Sequence, residues 1–300
     1  MEQEDNIGAR IGTTRSLLAS LERLLMDDRI SILMGFYNAE NTIERAIASI
    51  QNQTYENWEL ICCDDGSTDG GLQIVQQLAA HDERIKVIRN DRNRGLGYAL
   101  NRCFEHAEGD YLARMDADDE SLPTRLEKEL AVLKAGEFDL VSTGIVMFDG
   151  NRDLCVRQPI SRPEIIDLFR GNPIVHPACM MTRTCFEKVG GYSEERSRIR
   201  VEDIDLWIRL YRAGYRCFNL NEALYRFRYD YDLLKRQKMK YRWNAAVVCL
   251  DGCRTFRLPA KYYVRTMRPL LIGLIPPRLR YLRFYWKLKT SEDKKEKRTQ

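Results

Sequence analysis

Apolar and polar positions along the chain follow two periods that alternate. Short apolar runs of strand length recur at "ISILMGF" (30–36), "WELICC" (58–63), "IKVIRN" (85–90), "DYLARM" (110–115) and "FDLVSTGIVMFD" (138–149). Between them the spacing becomes helical. In "NAENTIERAIASIQNQ" Ile43, Ile47 and Ile50 share one side, and "LQIVQQLAAH", "LGYALNRCFEHAEG" and "PTRLEKELAVLKAG" continue the theme. Pro123 opens the last of these near its first turn. Such alternation predicts right-handed βαβ units and a parallel sheet covered on both faces. Ligands of open sheets bind beyond the carboxyl ends of the strands, so "CCDDGS" and "RMDADD" should face one crevice.

Further on, "IVHPACMMTR" predicts a strand, at an edge or irregular because two prolines lie close by. "VEDIDLWIRLYRAG" predicts a helix with Ile204, Trp207, Ile208 and Tyr211 on one face and Gly214 as its stop. Four segments follow: a helical extension at 1–28 with a leucine stripe, a body at 29–228, a basic helical segment at 229–289, and a disordered tail at 290–300.

Composition narrows the class. An apolar fraction of 44% and a charged fraction of 31% fit a globular protein of 300 residues. The nine cysteines form no CxxC pair, which predicts buried reduced thiols and a reducing compartment, hence the cytoplasm. No signal-peptide pattern and no apolar run of about 18 residues is present. The net charge of +4 hides an asymmetry: from Arg226 to the end stand 21 Lys/Arg and 6 Asp/Glu, a balance of +15, which leaves −11 for the rest. Residues 261–289 mix those cations with Tyr, Phe, Trp and Leu. That composition suits a segment lying on an anionic membrane surface, or a helical cap with a solvated basic face. No nucleic-acid-binding motif accompanies it.

The chemistry concentrates in carboxylates. Asp116, Asp118 and Asp119 crowd a strand exit, where two charges about 6 Å apart repel by roughly 3 kcal/mol at an effective dielectric of about 20. Their hard oxygens suit Mg²⁺ or Mn²⁺ bridging to a diphosphate; a solvated acidic turn is the plainer alternative. At the end of the second strand, Asp64 and Asp65 precede the turn-forming Gly66-Ser67. A carboxylate there can accept a ring N–H from a nucleobase, with Tyr37 placed to stack on the base, or it can cap a turn. Glu202 and Asp203 open a helix, either to complement its dipole or as a general base. His176 suits an acceptor contact or a structural role equally.

In this order, "ISILMGFYNAE", "ICCDDGSTDG", "NRGLGYALN", "ARMDADDESLP", "GGYSEE" and "VEDIDLWIRL" together resemble family 2 glycosyltransferases, over about residues 29–228. Within that family the chain looks similar to EpsE-like enzymes of exopolysaccharide and capsule synthesis. Gly35 departs from the proline that many relatives carry before "YN". The resemblance implies a GT-A fold, α/β with a Rossmann-like, mainly parallel sheet. It implies a UDP-sugar donor, with Asp65 on uracil N3–H, Tyr37 stacked on the ring, Asp116 against the ribose, and Glu40, Asn93 and Gly95 near the nucleotide. Asp118 would ligate the Mg²⁺ or Mn²⁺, and Asp203 would be the base of an inverting displacement. Glu202 and His176 would border an acceptor, a glycan or a polyprenyl-diphosphate-linked saccharide, reached at the inner face of the plasma membrane. Two rival functions remain: a sugar nucleotidyltransferase, disfavoured because "GFYNAENT" carries no basic residue, and a catalytically silent scaffold, disfavoured by the retained carboxylates.

Overall fold

The computed structural model describes residues 28–299, with side chains to residue 288; the leucine-striped extension lies outside the described residues. Strands β1 (Ile30–Phe36), β2 (Trp58–Asp64), β3 (Ile85–Arg89) and β4 (Tyr111–Arg114) form a parallel set in the order β3-β2-β1-β4. Helices α1 (Ile43–Gln51), α2 (Gly71–Ala79) and α3 (Leu96–Glu105) are the crossovers. Every residue of β1 and β2 is buried, as expected of strands covered on both faces. Ile32, Met34 and Leu60 pack to one side with α1 and α4 (Arg125–Lys134), whereas Leu33, Ile61 and Leu112 pack to the other with α3. Pro123 stands just ahead of α4, since Thr124 is the cap.

The sheet then changes direction. Beyond β5 (Glu120–Ser121), β6 (Leu140–Phe148) and β7 (Asp153–Arg157) come the short helices α5 (Ile165–Leu168) and α6 (Arg183–Lys188) on either side of β8 (Met180–Thr182). The segment "IVHPACMMTR" supplies only those three strand residues, because His176–Ala178 forms a 3-10 turn around Pro177. Nor is the strand at an edge. β8 sits between β4 and β6 and is antiparallel to both. After α7 (Glu202–Arg212) comes β9 (Cys217–Arg228), parallel to β6 with a register shift, which the sequence pattern did not reveal.

The basic segment is helical: α8 (Tyr231–Arg236), α9 (Met239–Thr255), α10 (Ala260–Arg265), α11 (Arg268–Gly273) and α12 (Pro277–Thr299). The last helix runs on through 290–299, where composition predicted disorder. α9 joins the body closely. A Cβ on Gly252 would stand 2.7 Å from Ile208 Cδ1, and Val248 is fully within the second core cluster. α12 docks through Phe284 on Tyr229, with ring centroids 4.4 Å apart. All nine cysteines are free thiols, seven of them buried. Among the described residues no helix is long and apolar enough to cross a membrane.

Candidate active site

The carboxyl ends of β1, β2 and β4 present three loops to one side of the sheet, and the acidic motifs sit on them. The first two loops are laced together. Asn38 N donates to Ser67 Oγ at 2.9 Å, Thr68 N to Asn38 Oδ1 at 2.9 Å, and Glu40 N to Asp69 Oδ2 at 2.9 Å. Glu40 returns a bond by accepting from Gly70 N at 2.9 Å. Its carboxylate therefore holds the two loops in register, and Tyr37 is left half exposed beside them.

Asp64 and Asp65 have different tasks. Asp64 accepts from Ser67 N at 2.8 Å and pairs with Arg89 Nε at 3.1 Å, which makes it the turn-former. Asp65, only 4% exposed, grips a third loop. It accepts from Asn90 Nδ2 at 2.9 Å, from Gly95 N at 2.8 Å, and from Arg94 N, which is shared between both oxygens at 2.9 and 3.1 Å. Each oxygen thus accepts twice, Oδ1 from Asn90 and Arg94 and Oδ2 from Arg94 and Gly95, and a further N–H could enter only by displacing one arm of the shared Arg94 bond. Close approach of this loop needs Gly66: its φ is +74°, and a Cβ would lie 2.8 Å from Arg92 Cα. Asn93 and Gly95 are placed by these bonds, and Gly95 caps α3 with φ +98°.

At the end of β4 the oxygens of Asp116, Asp118 and Asp119 lie within 4.8 Å of one another. Each is restrained differently. Asp116 accepts an ion pair from Arg114 Nη2 at 2.5 Å, while its backbone N donates to Tyr225 Oη at 3.1 Å. Asp119 is buried, accepts from Arg228 N at 2.7 Å, and keeps Oδ2 buried without a partner. Asp118 is half-buried and faces Arg236 Nη1 at 3.9 Å. Burial first, then the neighbouring Asp116 carboxylate, pushes the Asp118 carboxyl up to about 6. Burial likewise lifts Asp119 well above the ordinary range. An all-oxygen cluster that resists ionisation in this way suits a hard divalent cation, and Asp118 is the most exposed of its three members.

Glu202 and Asp203 begin α7. Glu202 is buried, with its Cγ only 3.1 Å from where a Cβ on Gly97 would stand. Asp203 is half-buried; its Oδ2 accepts from Asn172 Nδ2 at 2.8 Å, and burial raises its carboxyl above the usual range. His176 lies in an aromatic cluster. Its Nε2 meets Tyr192 Oη at 2.8 Å, its ring is 5.8 Å from that of Trp207, and burial holds it well below the usual imidazole range, hence neutral. Those contacts pack the ring inside the aromatic cluster.

Sequence reasoning missed several residues. Arg114, 3% exposed, pairs with Asp116, and its charge also draws down the Asp203 carboxyl. Its Nε and Nη1 are buried without partners. The signal available was a lone cation at the end of an apolar strand run. Asn172 and Arg236 offered no such signal, because their partners lie far away in sequence.

This architecture, a parallel α/β set with an acidic cluster at its carboxyl edge, is a GT-A glycosyltransferase architecture. The chain matches Glycosyl transferase family 2 over residues 31–190, and it belongs to that family. It is 42% identical over 252 residues to the Bacillus subtilis (strain 168) protein described as glycosyltransferase EpsE, covering 83% of this chain and 90% of that one. It is 39% identical over 109 residues to the Escherichia coli protein named UDP-Glc:alpha-D-GlcNAc-diphosphoundecaprenol beta-1,3-glucosyltransferase WfgD, covering 36% of this chain and 42% of that one. Among solved structures, S. aureus TarS 1–349 in complex with UDP-GlcNAc superposes with a TM-score of 0.62 at 20% identity, over 80% of this chain and 73% of that chain. Mannosyltransferase PcManGT of Pyrobaculum calidifontis, in complex with GDP-Man and Mn²⁺, gives 0.58 at 17% identity, over 88% and 82%. The protein is therefore a family 2 glycosyltransferase, similar to the EpsE-like members.

Proposed function

We propose that this enzyme transfers a sugar from a UDP-sugar to a hydroxyl of a growing bacterial polysaccharide, with inversion at the anomeric carbon. The observation that carries this reading is the arrangement around Arg114. Arg114 pairs with Asp116 of the acidic cluster, and the same guanidinium's charge acts on the Asp203 carboxyl. A donor site and a base are what a single displacement needs.

Asp65 holds the loop that frames the uracil, and its N3–H would take the place of one arm of the shared Arg94 bond. Tyr37 offers an exposed ring for stacking on that base. Asp116, fixed by Arg114 and Tyr225, faces the ribose. Asp118 would hold Mg²⁺ or Mn²⁺, which would supply Lewis-acid stabilisation of the departing diphosphate. Arg236 stands beside Asp118 and offers a second cation to that leaving group. Asp203, oriented by Asn172, takes the proton as the acceptor oxygen bonds to the anomeric carbon and the bond to UDP breaks.

The acceptor is a glycan or a polyprenyl-diphosphate-linked saccharide, the type named for the relative WfgD. A peripheral site at the inner face of an anionic membrane suits it. Of 13 exposed large apolar side chains among the described residues, ten lie between Met239 and Trp286, including Val264, Leu271, Leu274 and Leu282. The same stretch, residues 239–288, carries 11 Lys/Arg and one acidic residue.

The test is UDP release from a panel of UDP-sugars with Mn²⁺, Mg²⁺ or EDTA. One donor should be hydrolysed slowly with metal, and Asp118→Ala should abolish this. Asp203→Asn should retain donor hydrolysis and lose transfer by about 10²–10⁴-fold. No turnover of any UDP-sugar with either metal would overturn the donor assignment.

A further inference from the structure

One cavity adjoins the loop assigned to the nucleotide but holds three arginines that the mechanism above does not use. It measures about 300 Å³ and opens between the loop before α3 and the start of α7, with Gly97 and Glu202 in its wall. That volume is at the small end of ligand pockets. Three arginines line it, Arg92, Arg94 and Arg196. Nearby arginines are neutralised: Arg89 pairs with Asp64 and Arg198 with Asp205. The three at the cavity form no ion pair among the described residues. Arg94 is nevertheless held still, its guanidinium 3.9 Å over the Tyr98 ring and Nη1 donating to Tyr98 Oη at 2.8 Å. Two carboxylates face them: Glu194, which accepts from Asn101 Nδ2 at 3.1 Å, and the buried Glu202, so that three guanidiniums stand against two acids. Cations are thus in excess in a walled space, one residue along the helix from Asp203.

We propose that this cavity binds the phosphate or diphosphate group of the acceptor and so presents the attached sugar's hydroxyl to Asp203. The inference rests on the glycosyl-transfer reading and names the acceptor's chemical class. Guanidinium forks match phosphate oxygens in geometry and charge. The cavity wall contains none of Asp116, Asp118, Arg228 or Arg236, so the donor diphosphate and this anion have separate cations. It does include Asn93 and Gly95, which the nucleotide reading also uses, and competition with UDP therefore decides the matter.

Calorimetry on the full chain, in EDTA with excess UDP, would use two probes: farnesyl diphosphate for a lipid-borne group and inorganic phosphate for a free one. Both should bind, the prenyl compound more tightly. Arg92→Ala/Arg196→Ala should weaken both by about tenfold or more, while Arg92→Lys/Arg196→Lys, which keeps the charge, should lose less. Thermal unfolding of each variant checks that these exposed substitutions leave the fold intact. Displacement of both probes by UDP would assign the cavity to the donor and overturn the proposal. So would equal binding by the alanine variant, or binding of inorganic phosphate with refusal of the prenyl compound. Mn²⁺-dependent UDP-sugar hydrolysis by the parent protein is measured in parallel: its presence with no probe binding sinks this inference alone, whereas its absence sinks the transfer reading.

Discussion

Asp65→Asn separates holding the loop from touching the nucleotide. The parent carboxylate is nearly sealed from water and accepts from Asn90 Nδ2, Arg94 N and Gly95 N at 2.8–3.1 Å. Asparagine keeps one oxygen and turns the other into an NH₂ that must face one of these donors. At least one charge-assisted bond is lost, at about 1.5–3 kcal/mol, and a buried donor is left without a partner, at about 1–3 kcal/mol. Partial relaxation of the exposed Arg92–Arg94 loop recovers some of this, so the expected loss is about 2–4 kcal/mol without any nucleotide present. Urea unfolding followed by fluorescence of the four tryptophans should show a lower midpoint at unchanged m. Amide exchange at Arg94 and Gly95 should quicken. UDP affinity should fall as well. If Asp65→Asn weakens UDP but stays within about 0.5 kcal/mol of the parent in stability, the carboxylate contacts the nucleotide without organising the loop, and the reasoning fails.

Other outcomes follow from the same contacts. Asp203 must be ionised to act as a base, and burial raises its carboxyl, so transfer should be lost as pH falls through that raised value. Asn172→Ala removes a donor to the carboxylate and should move the acid limb of kcat/KM to higher pH; an unmoved limb would show that Asp203 is not the titrating base. Arg114→Met leaves Asp116 beside two more carboxylates with no guanidinium, and should destabilise the metal-free protein by about 3–5 kcal/mol. An unchanged melting curve would mean that the pair holds nothing in place. On the basic face, Leu271→Ser/Leu274→Ser/Leu282→Ser should reduce flotation with vesicles containing anionic phospholipid while donor hydrolysis persists; equal flotation would place membrane contact elsewhere.

Much of the fold was legible because its signals are local. The strand–helix alternation from Ile30 to Lys134 depends on apolar periodicity and turn residues within a few positions of each other. It placed Asp65 and Asp116 at strand ends, where they are found. β9 escaped notice for the opposite reason. Its burial is irregular, with Asn221 and Glu222 exposed in its middle, and its pairing with β6 shifts register there. For β8 the prolines pointed to an edge or an irregular strand: the segment is irregular, but it is not at an edge, because the turn around Pro177 ends before the three residues that pair with both neighbours.

By itself, then, the sequence determined a family 2 glycosyltransferase with its acidic motifs at the carboxyl edge of a parallel sheet. Only the tertiary structure decided which groups meet. Asn172 reaches Asp203 across 31 positions, Arg236 reaches Asp118, and Arg94 N closes on Asp65 across 29. It also decided that Arg114 is buried against Asp116, and that His176 is wrapped by Tyr192 and Trp207. Periodicity carries information over one or two turns of a helix or a few residues of a strand. Burial and partnership depend on distant segments packing together, and no local pattern records that.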